Sequence, residues 1–212
     1  MIEKPRRQGR PDQQGSEEIF RHILDTAARL FVEQGYAATS LEQVAAEAGS
    51  GKQTIYRRFT SKEGLFMAVI DQRCEALLEA AAAAEAIAAD PLEALKITCR
   101  TLLDFALLPE KIDFLHMLVA ELRRFPELAD YAAKSSFEPF EVAMKRLLDA
   151  AIARGQLRAD EDGQMLHALL GLVTGWAFQR TILGMPLFSG EAEKNAFFES
   201  AWRLFLEGAA RR

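Results

Sequence analysis

TSLEQVAAEAGSGKQTIYRRFTSK, from Thr39 to Lys62, is the stretch that decides the fold. Leu41, Val44, Ala45 and Ala48 recur at helical spacing. Thr39 and Ser40 stand before them as N-cap residues, and Glu42 and Gln43 follow three residues beyond each, the capping-box pattern. Gly49 falls where a helix ends and the backbone needs a positive φ. A second helix is expected over about Lys52 to Phe59. Ile55 and Phe59 share one of its faces. At about 100° per residue, Gln53 and Arg57 point away from that face, flanked by Thr54 and Arg58. One side is therefore apolar. The other carries amide, hydroxyl and guanidinium groups of the kind that read base edges in a major groove.

The stretch resembles the DNA-binding signature of the TetR family of transcriptional regulators. The resemblance is carried by Gly35-Tyr36, Thr39, Ala48-Gly49, Thr54-Ile55-Tyr56, Phe59 and Ser61-Lys62-Glu63, all in register. Two positions depart from the family pattern. Ser50 stands where an apolar residue is usual, and Gly51 where Ser usually caps the recognition helix. Gly costs only a few tenths of a kcal/mol (roughly) as a cap. Neither departure removes a DNA-facing group.

Half of the 212 residues are apolar, Pro is sparse and alternating patterns are absent, which points to an all-α protein. No apolar run reaches the roughly 18 residues of a membrane span. The charged N-terminus lacks a signal peptide's apolar segment, so a cytoplasmic location is expected. Cys74 and Cys99 stand in expected helices and form no metal-binding spacing. The net charge of −5 is unevenly spread. Residues 1–74 sum to +1 and residues 75–212 to −6. Lys52 to Lys62 hold Lys52, Arg57, Arg58 and Lys62 and no acid, so phosphates can be neutralised locally.

About nine helices are expected. Residues 1–15 read as a flexible basic arm, with Lys4, Arg6, Arg7 and Arg10 placed to reach phosphates or a minor groove. Residues 16–61 read as the helix-turn-helix domain. Its first helix runs from about Ser16 to Gln34, with Phe20, Ile23, Leu24, Ala27, Leu30 and Phe31 as its apolar stripe. Residues 62–212 read as a second helical domain, entered through a helix from Ser61 to about Glu85 that both domains share. In that helix Leu65, Phe66, Val69 and Ile70 are expected to pack on the DNA-binding unit. Later helices are expected over about 91–108, closed by Pro109, then 112–124, broken by Pro126. A helix over 127–154, disturbed near Pro139, precedes two more over 161–183 and 190–207. Phe114 to Leu128 (FLHMLVAELRRFPEL) resembles the regulatory domain of one TetR subgroup.

Three sets of candidate residues follow. The first contacts DNA. Gln53, Thr54, Arg57 and Arg58 face outward, and the resemblance implies that Thr39, Lys52, Tyr56 and Lys62 touch phosphates. The second is a dimer face: the helices over 161–183 and 190–207 are apolar nearly all round and need cover on two sides. Leu166, Leu169, Leu170, Val173, Phe198, Trp202 and Phe205 are its expected members, with Gly171 and Gly175 allowing close approach. The resemblance implies a four-helix bundle across a two-fold axis, a homodimer suited to a pseudo-palindromic operator. The third is a cavity for a small apolar or aromatic effector, expected to be lined by Phe105, Phe114, Met117, Leu118, Phe137, Phe140, Met144, Trp176 and Phe178.

His22, His116 and His167 join no nucleophile, paired-carboxylate or metal arrangement, and no phosphate-binding glycine loop is present. No cofactor, metal, catalytic residue or membrane partner is called for. The expected function is a ligand-responsive regulator, a repressor, that binds operator DNA as a homodimer. The alternative is a helix-turn-helix regulator governed by a protein partner, which would have a solid C-terminal core.

Overall fold

The structure, a computed structural model, describes residues 13–122, 124–185 and 187–209. Lys4, Arg6, Arg7 and Arg10 of the expected arm lie outside them. Helices account for every regular element among the described residues. They are α1 (Gln13–Ala38), α2 (Leu41–Glu47), α3 (Lys52–Arg58), α4 (Lys62–Ile87), α5 (Pro91–Ala106), α6 (Pro109–Leu122), α7 (Pro126–Ala132), α8 (Glu138–Ala153), α9 (Met165–Leu170), α10 (Trp176–Ile182) and α11 (Glu191–Ala209). A widened π turn, Ala133–Phe137, joins α7 to α8, and another, Gly171–Gly175, joins α9 to α10. The joining residues keep right-handed helical dihedrals, so each pair is one continuous helix. Counted that way, nine helices are described.

The chain divides into two compact units, with the break between Val69 and Ile70. In the first unit, α1 buries Ile23, Leu24, Ala27, Leu30 and Phe31 together with Leu41, Val44, Ile55 and Phe59. Gly35, at φ 84°, interrupts α1 where a glycine stop is expected. Ser40 caps α2 by accepting from the Gln43 amide at 3.2 Å. Gly49, at φ 59°, turns the chain toward α3. The first unit also keeps the start of α4, because the Phe66 ring packs edge-on to Phe31 at 5.0 Å and to Tyr36 at 4.9 Å. The boundary expected after residue 61 therefore falls later. Ile70, expected to pack on the first unit, belongs to the second.

The second unit is built on α5 packed along α8. Leu95, Cys99 and Leu103 of α5 meet Met144, Leu147 and Leu148 of α8, and Leu169, Val173, Phe198, Trp202 and Phe205 extend the same core. Asp90 caps α5, accepting from the Glu93 amide at 3.0 Å, with Pro91 in its first turn. Pro109 and Pro126 open α6 and α7, where the sequence suggested that they only close what precedes. Their fixed φ suits a first helical position and the missing N–H is not needed there. The π turn at 133–137 immediately precedes Pro139, the expected point of disturbance. No helix among the described residues is long and apolar enough to cross a membrane.

Leu103 is fully buried between α5 and its neighbours. Leu103→Ala is expected to lower stability by about 2–5 kcal/mol, seen as a lower urea midpoint.

Candidate nucleic-acid interface and internal cavity

α3 has two turns, and each side chain on it has one of two destinations. Ile55 is buried, as is the C-cap Phe59, whose ring stacks on Phe20 at 5.8 Å. Lys52, Gln53 and Arg57 are exposed and Thr54 is half-buried beside the turn. The Gln53 and Arg57 side chains make no hydrogen bond or ion pair to other described residues. They leave amide and guanidinium groups available to base edges.

The other expected contacts are engaged within the chain. Thr39 is only 2% exposed. Its hydroxyl donates to the carbonyls of Gly35 at 2.9 Å and Leu30 at 3.3 Å, and accepts from Gln34 Nε2 at 3.1 Å. The Thr39 side chain, expected at a phosphate, here ties the end of α1 to the start of α2. Gln43 is likewise diverted, pairing its amide with that of Gln34 in both directions.

Lys62 donates to the carbonyls of Tyr36 at 2.8 Å and Ala37 at 3.0 Å, with its ammonium 4.5 Å from the centre of the Tyr36 ring. It secures the turn after α1. Arg58 donates to Ser16 Oγ at 2.6 Å and lies 5.0 Å from the centre of the Phe20 ring. Its guanidinium braces the start of α1 against the end of α3.

The exposed Tyr56 hydroxyl donates to the Glu42 carboxylate. That bond, ahead of a backbone hydrogen bond and the charge of Lys52, holds the Glu42 carboxyl below the usual carboxylate range. It also raises the Tyr56 phenol above its ordinary value. α2 and α3 are thus clipped together on their exposed side.

In the second unit a cavity of about 270 Å³ opens among α4, α5, α6, the π turn at 133–137 and α10. Phe105, Phe114, Leu118, Phe137 and Phe178 line it, as the sequence suggests. Met117, Phe140, Met144 and Trp176 do not. Met144 and Phe140 are spent in the α5–α8 core, and Met117 is buried away from the cavity. Trp176 is 48% exposed and sits with Phe188 and Phe197 at the surface. Sequence reasoning missed Ile70, Arg73, Cys74 and Leu77, which bring α4 into the wall. Their helical spacing along α4 was a signal, but it pointed equally to plain core. Lys111 and Thr174 were missed because neither is apolar. Among the described residues no three His, Cys, Asp or Glu side chains cluster as metal ligands do. Burial pushes the Cys99 thiol far up, keeping it protonated.

The expected dimer residues also need correction. Leu166, Leu169, Val173, Phe198, Trp202 and Phe205 are all buried in the chain's own core, and Leu170 is half-buried. The outward stripe of the continuous helix α9–α10 is instead Ala168, Gly171, Leu172, Gly175 and Trp176. On α11 it is Ala196, Arg203 and the 54% exposed Leu204. The sequence pattern gave two apolar sides and no means to tell which one the chain itself covers.

Removing the Tyr56 hydroxyl isolates one of these contacts. In Tyr56→Phe the Glu42 carboxyl loses its main stabiliser as an anion, so it should titrate at higher pH than in the parent. A carboxyl carbon NMR titration checks the direction.

The N-terminal geometry has close counterparts. Residues 23–69 match the family described as bacterial regulatory proteins, tetR family. Residues 93–208 match the C-terminal domain of AefR-like transcriptional repressors. The transcriptional repressor ComR of Escherichia coli is 49% identical over 49 residues, 23% of each chain. The flavonoid-responsive regulator FrrA is 28% identical with a TM-score of 0.74, covering 92% of this chain and 99% of its own. A TetR-family regulator from Mesorhizobium loti shares the fold at a TM-score of 0.77 and 22% identity, covering 92% of this chain and 98% of its own. These relatives are regulators of transcription and not enzymes. The second family match alone spans more than half of the residues, and the chain belongs to the TetR family of bacterial transcriptional regulators.

Proposed function

We propose that this regulator is a repressor that binds a pseudo-palindromic operator as a homodimer and is released by a small, largely apolar effector. The observation that carries the reading is the outward face of α3. Gln53 and Arg57 are exposed and unengaged, while every neighbouring polar group that shapes the helix-turn-helix is tied down. Lys52, Gln53, Thr54 and Arg57 meet the DNA, with Arg57 the foremost base reader. Tyr56, Arg58 and Lys62 act first as braces, and each reaches phosphate only by exchanging its partner within the chain.

A second copy docks on the outward stripe of α9–α10 and α11. A Cβ built on Gly171 or Gly175 meets no atom within 4 Å, so the chain's own packing does not demand glycine there. Close approach of another helix does. The stripe also exposes Leu172, Trp176 and Leu204, large apolar side chains that a partner covers. Two recognition helices then meet successive major grooves about 34–36 Å apart.

The cavity supports this reading over the alternative of a regulator governed only by a protein partner, which needs no hollow C-terminal unit. The relative FrrA is named for its response to flavonoids, which is in keeping with an organic effector here. Such a ligand lowers DNA affinity by its differential affinity for the state whose recognition helices are mis-spaced. α4, which begins in the first unit and supplies cavity wall in the second, is the transmitter. The regulator acts in the cytoplasm, where operator DNA is.

Binding to the DNA immediately upstream of the chain's own coding region, at fixed salt with excess competitor, tests the whole reading. Saturable binding of one dimer per site is expected. Binding no tighter than to competitor would count against an operator there. Arg57→Ala should cost about 1–3 kcal/mol of discrimination between operator and competitor. An unchanged titration removes Arg57 from the readout. Leu172→Glu changes an exposed residue, so it should leave helix content intact while shifting the sedimenting species from dimer to monomer. A charge at Trp202 would instead unfold the core, because that ring is 5% exposed.

A further inference from the structure

We infer that Glu42 is an electrostatic brake on DNA binding: its carboxylate withholds the Tyr56 hydroxyl from phosphate and repels the duplex, whatever the base sequence. This rests on the reading that the outward face of α3 meets DNA. Lys52 to Lys62 hold four basic residues and no acid, yet folding brings one acid to that stretch from α2. Glu42 and Tyr56 are both exposed, and the Tyr56 hydroxyl donates to the Glu42 carboxylate. Tyr56 stands one helical turn from Lys52 and next to Arg57, so it borders the face that takes up the duplex. Lys52 is near enough that its charge, behind the Tyr56 hydroxyl and a backbone hydrogen bond, favours the Glu42 anion. A duplex held by Lys52 therefore brings its phosphates within range of a carboxylate.

Three roles for this carboxylate can be weighed. A clip alone would join α2 to α3 and act on stability without touching affinity. A base reader would accept from a cytosine amino group and act on one base pair of the operator. A brake acts on every duplex alike, because phosphates recur along all DNA, one charge per roughly 1.7 Å of helix axis. The geometry favours the third. The carboxylate is engaged by a phenol and not turned outward alone as Gln53 and Arg57 are. A phenol bound to a carboxylate is also lost as a donor to phosphate, since the charge-assisted bond is the stronger kind. Such a brake serves regulation. Effectors commonly change affinity by roughly 5–150-fold, and an operator complex not too tight is one that such a coupling can empty.

Two duplexes of equal length serve as probes for the full-length chain, one of mixed sequence and one selected by the chain from a random pool. Affinities are measured across a salt series. Glu42→Gln should bind both duplexes more tightly by a similar factor, ~3-fold or more at low salt, with a salt slope steeper by about one. The gap should close as salt rises and screens the repulsion. Tyr56→Phe should cost more affinity in the Glu42→Gln background than in the parent, because a neutral amide holds the hydroxyl less firmly against phosphate. Glu33→Gln removes an equal charge from α1, where Glu33 pairs with Arg29, and should change affinity less. Circular dichroism should show each variant folded. Unchanged affinity in Glu42→Gln, with the parent binding both duplexes, overturns the brake and leaves the DNA-binding face standing. A loss confined to the selected duplex makes the carboxylate a base reader and overturns it too. A parent chain that binds neither duplex overturns the DNA-binding face and this inference with it.

Discussion

Everything this protein does with DNA depends on the burial of Ile55 and Phe59. α3 is seven residues long, and a helix of that length has little stability of its own in water. It persists because one side is driven into the core made with α1 and α2. That burial leaves the opposite side facing outward without a choice. The orientation of Gln53 and Arg57 is therefore a consequence of two apolar residues that touch no DNA. The bracing polar groups act on the same element. Thr39, Lys62, Arg58 and the Tyr56–Glu42 pair fix the turns before, after and beside α3. Each bond is modest in net free energy, because folding exchanges it for a bond to water. Together they restrict how the short helix tilts, and a recognition helix is useful only when its tilt is fixed.

Much of the first unit was legible in the sequence because local rules act there without competition. Ser40, Gly49 and Gly35 signal caps and turns through their own backbone chemistry, and the structure uses them so. The buried role of the Thr39 hydroxyl was not legible, for a physical reason. A hydroxyl before a helix has two uses, a cap open to solvent or a buried tie, and sequence spacing does not distinguish them. Lys62 and Arg58 were legible only as basic residues of the helix-turn-helix. Their partners, the Tyr36 carbonyl and Ser16, are set by folding and not by spacing.

The second unit was less legible, and the errors have one physical source. Periodicity says that a residue is covered, not by what. Met144, Phe140 and Trp202 carry the same apolar signal as Phe105, Phe114 and Phe178, yet the first three fill core and the last three face a void. Likewise Val173 and Leu172 are adjacent apolar residues on one helix. One is buried by its own chain and the other is left outside. Only the packing of α5 against α8, a pairing between residues about fifty apart, decides which side of each helix is consumed.

That same packing brings three roles onto a single widened turn. In the π turn Gly171–Gly175, Val173 enters the core, Thr174 lines the cavity, and Gly171 and Gly175 lie on the outward stripe. A π turn replaces the usual i→i+4 bonds with longer-range i→i+5 ones and commonly marks a functional position. Here it allows one five-residue segment to present a core side, a cavity side and an open side, which a regular helix with fewer residues per turn spaces differently. The second π turn repeats the logic, placing Phe137 on the cavity wall while α8 continues into the core. Both irregularities thus sit where the cavity meets the surrounding helices. A protein that had only to be stable would have no use for them, since each gives up regular helical geometry. Their placement is intelligible if the C-terminal unit must hold a void open against the tendency of apolar side chains to close it.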